Sequence, residues 1–200
     1  MVHQTERADA RANRARILNA AVALLAERGI DAEMREIAER AGLAVGTVYN
    51  HFPGKDDLII AVMREAFGEL EQAIDAASTE ADPVRAIETF LGEALTVAER
   101  YGALLAAITE GRVAAPRKEA IDEERRMALG QRMTGIVARG VAEGRFRPDL
   151  DLEIATGVIS SVLLPWTLTE LRRTRSVEQI VAALMTMFLD GARARPPARK

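Results

Sequence analysis

Apolar residues recur at helical spacing along most of this 200-residue chain, and no other feature constrains its fold as strongly. Ile17, Ala21, Leu24 and Leu25 lie at offsets of 0, 4, 7 and 8, which places them on one stripe of a helix over residues 13–28. Ala, Leu, Val and Ile supply most of the apolar residues, whereas aromatic residues make up only 4% of the chain. That mixture favours helix over sheet, so we predict an all-α protein of about nine helices.

Glycine and proline mark where the other helices begin and end. The pattern predicts helices over residues 33–40, 44–52, 55–77, 83–100, 103–110, 117–143, 152–173 and 177–192. Tyr101-Gly102 is expected to separate two of them, and Pro165 is expected to kink or locally open another. The Arg- and Pro-rich end, residues 193–200, is expected to be disordered.

The composition excludes most kinds of active site. The chain has no cysteine, so disulfides, thiolate metal sites and cysteine nucleophiles are impossible. Its only histidines are His3 and His51, too few for histidine-based catalysis or metal binding. The sequence contains no G-x-S-x-G, P-loop, dinucleotide or H-E-x-x-H motif. We therefore expect neither enzymatic activity, nor a cofactor, nor a metal.

Charge is distributed unevenly along the chain. Residues 1–55 hold eight Lys or Arg against seven Asp or Glu, whereas residues 56–200 hold nineteen against twenty-three. Any contact with DNA is therefore expected at the N-terminal end. The first two dozen residues are charged and lack the apolar run of a secretory signal, and the uncharged stretch 154–169 is shorter than the ~20 residues of a bilayer span. A cytoplasmic protein without a membrane partner is expected.

Residues 33–55 carry the strongest functional pattern. The small Ala38 lets two short helices approach closely, Gly42 suits a left-handed turn between them, and Val48 completes a small core. Thr47, Tyr49 and His51 are hydrogen-bonding residues crowded into one short helix, which is typical of contacts with phosphates and groove edges. Lys55 opposes the dipole at the start of the next helix, and a docked phosphate would explain its position.

The same residues resemble the TetR family of transcriptional repressors. The resemblance covers roughly residues 14–63 and rests on the strings REIAERAGL, GTVYNHF and GKDDL. It implies a three-helix DNA-binding domain over residues 10–55, with its helix-turn-helix at about 33–52. It also implies a larger helical domain over 56–192 that binds a small effector and forms a homodimer.

The resemblance also implies which residues contact DNA. Base reading falls to the exposed start and outer face of the second short helix, at Ala44, Val45, Gly46, Thr47 and Asn50, with Asn50 the best candidate for an adenine contact. Tyr49, His51 and Lys55 are expected at phosphates, and so are Arg11 and Arg14 of an N-terminal arm. Arg35 is expected to reach either a phosphate or a guanine. Glu33 and Ala44 depart from the family pattern, because Ser or Thr commonly caps the two short helices there.

The region beyond residue 55 supports a dimer more directly than a pocket. Two groups of apolar residues occupy more than one face of their helices and so need two partners: Ile154, Val158, Ile159, Val162, Leu163 and Leu164, then Ile180, Val181, Leu184, Met187 and Phe188. The residues proposed to line an effector pocket are Phe67, Phe90, Tyr101, Met127 and Trp166, with Thr109, Glu110 or Thr134 as polar groups.

The sequence thus predicts a sequence-specific DNA-binding regulator. We expect a homodimeric repressor that binds a near-palindromic operator in double-stranded DNA and that a small-molecule effector releases. The alternative is a helical scaffold that uses the same segment for protein contacts. Salt separates the two hypotheses, because binding through several phosphates weakens steeply as salt rises.

Overall fold

The computed structural model describes residues 2–109, 123–163 and 165–192. Within those ranges the chain forms nine α-helices and a single 3-10 turn, and no strand, which confirms the all-α class. The helices are α1 (Val2–Arg28), α2 (Met34–Ala41), α3 (Val45–His51), α4 (Lys55–Thr79), α5 (Pro83–Thr109), α6 (Glu123–Ala142), α7 (Leu152–Ser161), α8 (Pro165–Arg172) and α9 (Val177–Ala192). The end of the chain from residue 193, predicted to be disordered, lies outside the described residues.

The described residues divide into two compact units. The first unit draws on Met1–Ala66 and Arg100–Ile121, and the second on Phe67–Glu99 and Asp122–Lys200. The division falls within α4 and within α5. The domain boundary predicted at residue 55 lies at the start of α4, ahead of this division.

The core of the first unit includes buried residues of α1, α2, α3 and the first half of α4. The apolar stripe predicted for α1 is buried, as are the inner faces of the two short helices: Ile17, Ala21, Leu24, Leu25, Ile37, Ala38, Ala41 and Val48. Because Ala38 has no side chain beyond Cβ, it allows the close approach that such short helices need. Neither α2 nor α3 is long enough to be stable without this shared core.

Two helices are longer than predicted. Helix α1 begins at Val2 rather than at residue 13, since residues 2–12 contain no glycine or proline to stop it. Helix α5 continues through Tyr101-Gly102, so the predicted separate helix 103–110 was wrong. Tyr101 and Leu104 are both buried on one face of α5, and one interior glycine costs a helix only about 1 kcal/mol, which that burial outweighs.

The helix predicted over 152–173 is divided near Pro165, as expected. Helix α7 ends at Ser161, and Pro165 is the first residue of α8. Proline lacks the N–H group that would continue the preceding helix, and its fixed φ angle suits the first position of a new one.

In the second unit, three arginines of α6 bind α4 and the residue that follows it. Arg125 makes a bidentate contact with Glu71: its Nε donates to Oε1 at 2.7 Å and its Nη2 donates to Oε2 at 2.5 Å. Arg132 pairs with Asp75, and Arg139 donates to the carbonyl oxygen of Glu80, the residue after the end of α4.

Among the described helices, none combines the length and the hydropathy that a membrane span requires.

Candidate nucleic-acid interface

The start of α2 is capped by the side chain of Glu36, a residue of its own first turn. Glu33 occupies the position before α2, and its backbone N–H donates to Oε2 of Glu36 at 3.0 Å. This hydrogen bond is the main reason that the pKa of the Glu36 carboxyl lies below its ordinary value, with the charge of Arg28 adding to it and desolvation opposing it. The Ser or Thr that the family pattern places here is therefore replaced by a cap of a different kind.

The turn between α2 and α3 requires glycine, as predicted. Gly42 adopts φ +64° and ψ +38°, in the left-handed region that costs other residues about 1–2 kcal/mol. Its N–H donates to the carbonyl oxygen of Glu39 at 3.1 Å, and the N–H of Leu43 donates to that of Ala38 at 3.0 Å. These two bonds end α2 and turn the chain toward α3.

Helix α3 presents most of its surface to solvent. Val48 is its buried residue, and α3 packs against α2. The predicted base-reading positions Ala44, Val45, Gly46 and Asn50 are all exposed, and Thr47 is half-buried. Tyr49 is 47% exposed, although a tyrosine gains most stability from burial. The outer face of α3 therefore offers polar and small side chains to a partner, as an element that enters a DNA groove must.

The two ends of α3 differ in how they are fixed. Ala44 precedes the helix in an extended conformation and has no side-chain group that could cap it. Because alanine stands where the family pattern has serine, the start of α3 has no side-chain cap. At the other end the N–H of Phe52 donates to the carbonyl oxygen of Val48 at 2.9 Å, and the Phe52 ring is buried. His51 is half-buried beside that ring, with the two ring centroids 6.4 Å apart.

Arg35 lies on α2, and Lys55 lies at the start of α4. The exposed Arg35 pairs with Glu39 at 3.2 Å along α2. Such a surface pair contributes at most about 1 kcal/mol, so it leaves the guanidinium able to exchange its partner for a phosphate. Lys55 is half-buried at the first position of α4, ahead of the exposed Asp56 and Asp57. Their contacts with DNA stay predictions.

The basic residues of α1 are arranged differently from a flexible arm. Arg11 and Arg14 belong to the helix itself, and the Arg14 guanidinium lies over the Phe52 ring, with its carbon 5.4 Å from the ring centroid. Arg16, which the sequence did not single out, donates to the carbonyl oxygens of Ala41 and Gly42 at 2.6 and 3.1 Å. Only the folded arrangement brings α1 to this turn, so no local pattern in the sequence indicates the contact.

Comparison with known proteins agrees with this geometry. The profile of "Bacterial regulatory proteins, tetR family" matches residues 17–62, which span α2, α3 and parts of α1 and α4. The transcriptional repressor KstR of Mycolicibacterium smegmatis is 31% identical over 172 residues, which cover 85% of this chain and 82% of the relative.

The chain belongs to the TetR family. Like its relatives in this family, it is a DNA-binding transcriptional regulator and not an enzyme. Two solved structures share its fold. The ketosteroid regulator KstR2 of Mycobacterium tuberculosis has a TM-score of 0.69 at 24% identity, with 91% of this chain and 95% of that chain covered. FadR of Bacillus subtilis, in complex with stearoyl-CoA, has a TM-score of 0.64 at 21% identity, with coverages of 88% and 97%.

The residues proposed for the effector pocket of this TetR protein are scattered. Phe67 is half-buried on α4, Phe90 belongs to the core of the second unit, and Met127 on α6 is 52% exposed. Tyr101 is buried on α5 in the part that the first unit includes. The side chains of Thr109 and Trp166 and the whole of Glu110 lie outside the described residues, and Thr134 makes a 3.1 Å hydrogen bond to Thr156. A pocket formed by these residues stays a prediction.

The second unit contains an apolar groove that the sequence did not indicate. About 140 Å³ in volume, it is lined by Ile87, Leu91, Val158, Ile159, Leu184, Met187 and Phe188. Two of these lining residues, Val158 of α7 and Met187 of α9, are 58% and 73% exposed, and Ile154 of α7 is 66% exposed. Large apolar side chains grouped in this way on a surface are typical of an interface with another chain.

Proposed function

We propose that this TetR protein is a homodimeric repressor that reads a near-palindromic operator with α3 and that a small effector releases from DNA. The exposed outer face of α3, with Val48 buried on the opposite side, is the observation that carries the proposal. A helix of seven residues that buries one side chain has its remaining side chains available for a groove. The protein would act in the cytoplasm, where its DNA target lies.

Within this proposal the contacts divide into two kinds. Gly46 and Asn50, which are exposed on α3, would meet base edges, and the Asn50 amide offers the donor and acceptor pair that adenine matches. Tyr49, His51 and Lys55 would bind phosphates on either side of the groove, and so would Arg35 once Glu39 releases it. The first kind of contact selects a sequence, and the second kind supplies affinity for any duplex.

The dimer would be formed through the exposed apolar side chains of α7 and α9. Ile154, Val158 and Met187 are each more than half exposed in the isolated chain, and burial of each against a second copy contributes about 1.5–3 kcal/mol. A second copy would also fill the apolar groove beside them. A two-fold symmetric dimer contains two α3 helices. These would match two half-sites on the operator whose centres are about 34 Å apart, or a multiple of that distance.

The effector would be a largely apolar molecule that binds in the second unit. KstR2 is described as a ketosteroid transcriptional regulator, and FadR is in complex with stearoyl-CoA. A steroid ring system and a stearoyl chain are both apolar. The core of the second unit is itself made almost entirely of aliphatic and aromatic side chains. Release follows if the ligand binds more tightly to a dimer in which the two α3 helices are spaced wrongly for the operator.

Selection of bound sequences from random DNA by the purified protein tests this function. An enriched inverted repeat, protected in both halves and bound with an affinity that falls steeply with salt, is the expected result. Fluorescence anisotropy of the selected duplex then measures release by steroids and by acyl-CoA thioesters, with CoA alone as the control. A helical scaffold would enrich no sequence, and its partner binding would hardly respond to salt.

A further inference from the structure

Helix α1 contacts the chain immediately before and immediately after α3. Arg16 binds the carbonyl oxygens of Ala41 and Gly42, in the turn that leads into α3. Arg14 lies over the ring of Phe52, the residue that ends α3. Ile17 and Leu18, which follow the two arginines, are buried and anchor this part of α1 in the core.

The Arg16 contact completes the end of α2. The last carbonyl groups of a helix have no partner within it, and here the N–H groups of Gly42 and Leu43 satisfy those of Glu39 and Ala38. Arg16 donates to the carbonyls of Ala41, the last residue of α2, and of Gly42. A cation at this end of a helix also complements its dipole. The guanidinium therefore has a defined role within the protein itself.

Gly42 is shaped for this contact as well as for the turn. A β-carbon at residue 42 would lie 2.9 Å from Nη2 of Arg16, closer than the two atoms can approach without a shift. The left-handed backbone is the main barrier to a side chain at residue 42, and a β-carbon there would also oblige the Arg16 guanidinium to move. The turn and Arg16 thus form one packed arrangement ahead of α3.

We propose that Arg16 is a positioning residue for DNA reading: it holds the turn ahead of α3, and thereby the angle at which α3 enters the groove, instead of neutralising a phosphate. Arg14 does the same at the far end of α3 through Phe52. The proposal rests on α3 being the DNA-reading element. It assigns to two basic residues, which charge alone would place on the DNA backbone, a role in selectivity.

The two roles predict different responses to salt and to sequence. Loss of a phosphate contact weakens binding to every duplex and lowers the slope of log K against log salt concentration by about one. Loss of a positioning contact leaves that slope unchanged, because no counterion is involved. It weakens binding to the selected sequence most, since the base contacts of α3 depend more strictly on its angle than phosphate contacts do.

The test compares Arg16→Met with Arg11→Met, which removes an exposed basic residue from the same helix. Each variant of the full chain is titrated against the selected duplex and against a scrambled duplex of equal length, over a range of salt concentrations. Arg16→Met should lose on the order of tenfold in affinity for the selected duplex, with little change for the scrambled one. Arg16→Lys, which keeps a donor for the two carbonyls, should restore part of the selectivity.

Two results would overturn the proposal. Arg16→Met would refute it by weakening both duplexes equally with a reduced salt slope, as a phosphate contact does, or by binding both like the wild type. If wild-type protein selected no sequence at all, the proposed DNA-reading function would fail instead, so the two failures are distinguishable.

A second variant keeps the test decisive if Arg16→Met folds poorly, which far-UV circular dichroism detects. Gly42→Ala displaces the guanidinium while Arg16 is retained, and it should cause the same selective loss. The double variant should lose less than the sum of the two single losses, because both changes break one arrangement. Fully additive losses would mean that Arg16 and Gly42 act separately.

Discussion

Gly140 of α6 lies directly against the ring of Phe146: a β-carbon at residue 140 would lie 2.2 Å from the ring carbon Cε2. The backbone N–H of Phe146 donates to the carbonyl oxygen of Gly140 at 3.0 Å, so the two residues cannot separate without breaking this bond. On its other side the fully buried Phe146 ring meets that of Phe188 edge-on, with centroids 5.5 Å apart. The close approach of α6 to this ring therefore requires glycine.

Gly140→Ala is expected to destabilise the protein although alanine is the better helix former. Overpacking of a filled core costs about 1–3 kcal/mol, which exceeds the ~1 kcal/mol that alanine gains in a helix. Gly135→Ala on the same helix is the matched control, since no described heavy atom lies within 4 Å of its added β-carbon, and it should be neutral or stabilising. Urea denaturation at one protein concentration measures both, and equal shifts would contradict the packing argument.

The Glu71–Arg125 pair makes stability depend on pH in the acid range. The two-fold hydrogen bond from Arg125 is the main reason that the pKa of Glu71 lies below its ordinary value. A lowered pKa in the folded state contributes stability above the pKa of the unfolded chain, and this contribution disappears as the pH falls through the folded pKa. The pair is partly exposed, with about a third of each side chain accessible, which limits its contribution to about 1 kcal/mol or less.

Glu71→Gln should therefore be less stable than the wild type at neutral pH and equally stable in acid. Free energies of unfolding measured from pH 7 down to pH 3 should converge as Glu71 becomes protonated. Glu88→Gln, which changes an exposed carboxylate of α5, is the control and should run parallel to the wild type. A constant gap between Glu71→Gln and the wild type at all pH values would argue against the pair as its cause.

Much of this fold could be predicted because local patterns determine it. The stripe of α1 follows from the spacing of its apolar residues. The turn at Gly42 and the division near Pro165 follow from residue types whose backbone preference is strong. The prediction of a helix break at Tyr101-Gly102 was wrong because the local signal there is weak. A single glycine is a weak signal, and the burial of Tyr101 and Leu104 on one face overrides it.

Sites formed by residues distant in sequence could not be predicted in the same way. The outer face of α3 is local, so its exposure follows from which of its residues are polar. The contact from Arg16 to Gly42 joins positions 26 residues apart, and the bond from Arg125 to Glu71 joins positions 54 apart. No periodicity encodes such pairs. The same limit applies to the effector residues, which were chosen by type alone.

Ala44→Ser should stabilise the first unit. Residue 44 precedes α3 in an extended conformation, with φ −65° and ψ 143°, and alanine offers no oxygen to the first N–H groups of the helix. A serine cap is worth about 0.5–2 kcal/mol relative to alanine. Thermal unfolding should shift upward, whereas Ala44→Val, which adds volume without a hydrogen-bond acceptor, should give no increase. An increase with Val as well would point to burial instead of capping.

Ile154→Glu should weaken self-association without unfolding the chain. Ile154 is 66% exposed in the single chain, so a carboxylate there is solvated in the monomer but desolvated in a dimer built on α7 and α9. Analytical ultracentrifugation over a range of concentrations should show at least a tenfold higher dissociation constant. Ser160→Glu, exposed on the same helix two residues beyond Val158 and therefore on another face, is the control. A dimer unaffected by Ile154→Glu would place the interface elsewhere.

Asn50→Ala and Lys55→Ala should weaken DNA binding in different ways. Loss of the Asn50 amide removes a contact with a base edge, so it should cost about 1–3 kcal/mol at one position of the selected sequence and relax the preference there. Loss of the Lys55 ammonium removes a charge at the start of α4, so binding to all duplexes should weaken and the salt slope should fall by about one. Titration of a panel of duplexes with single base changes separates the two effects, because only Asn50→Ala should alter their ranking. If neither variant changes affinity, α3 and the start of α4 do not contact DNA as assigned.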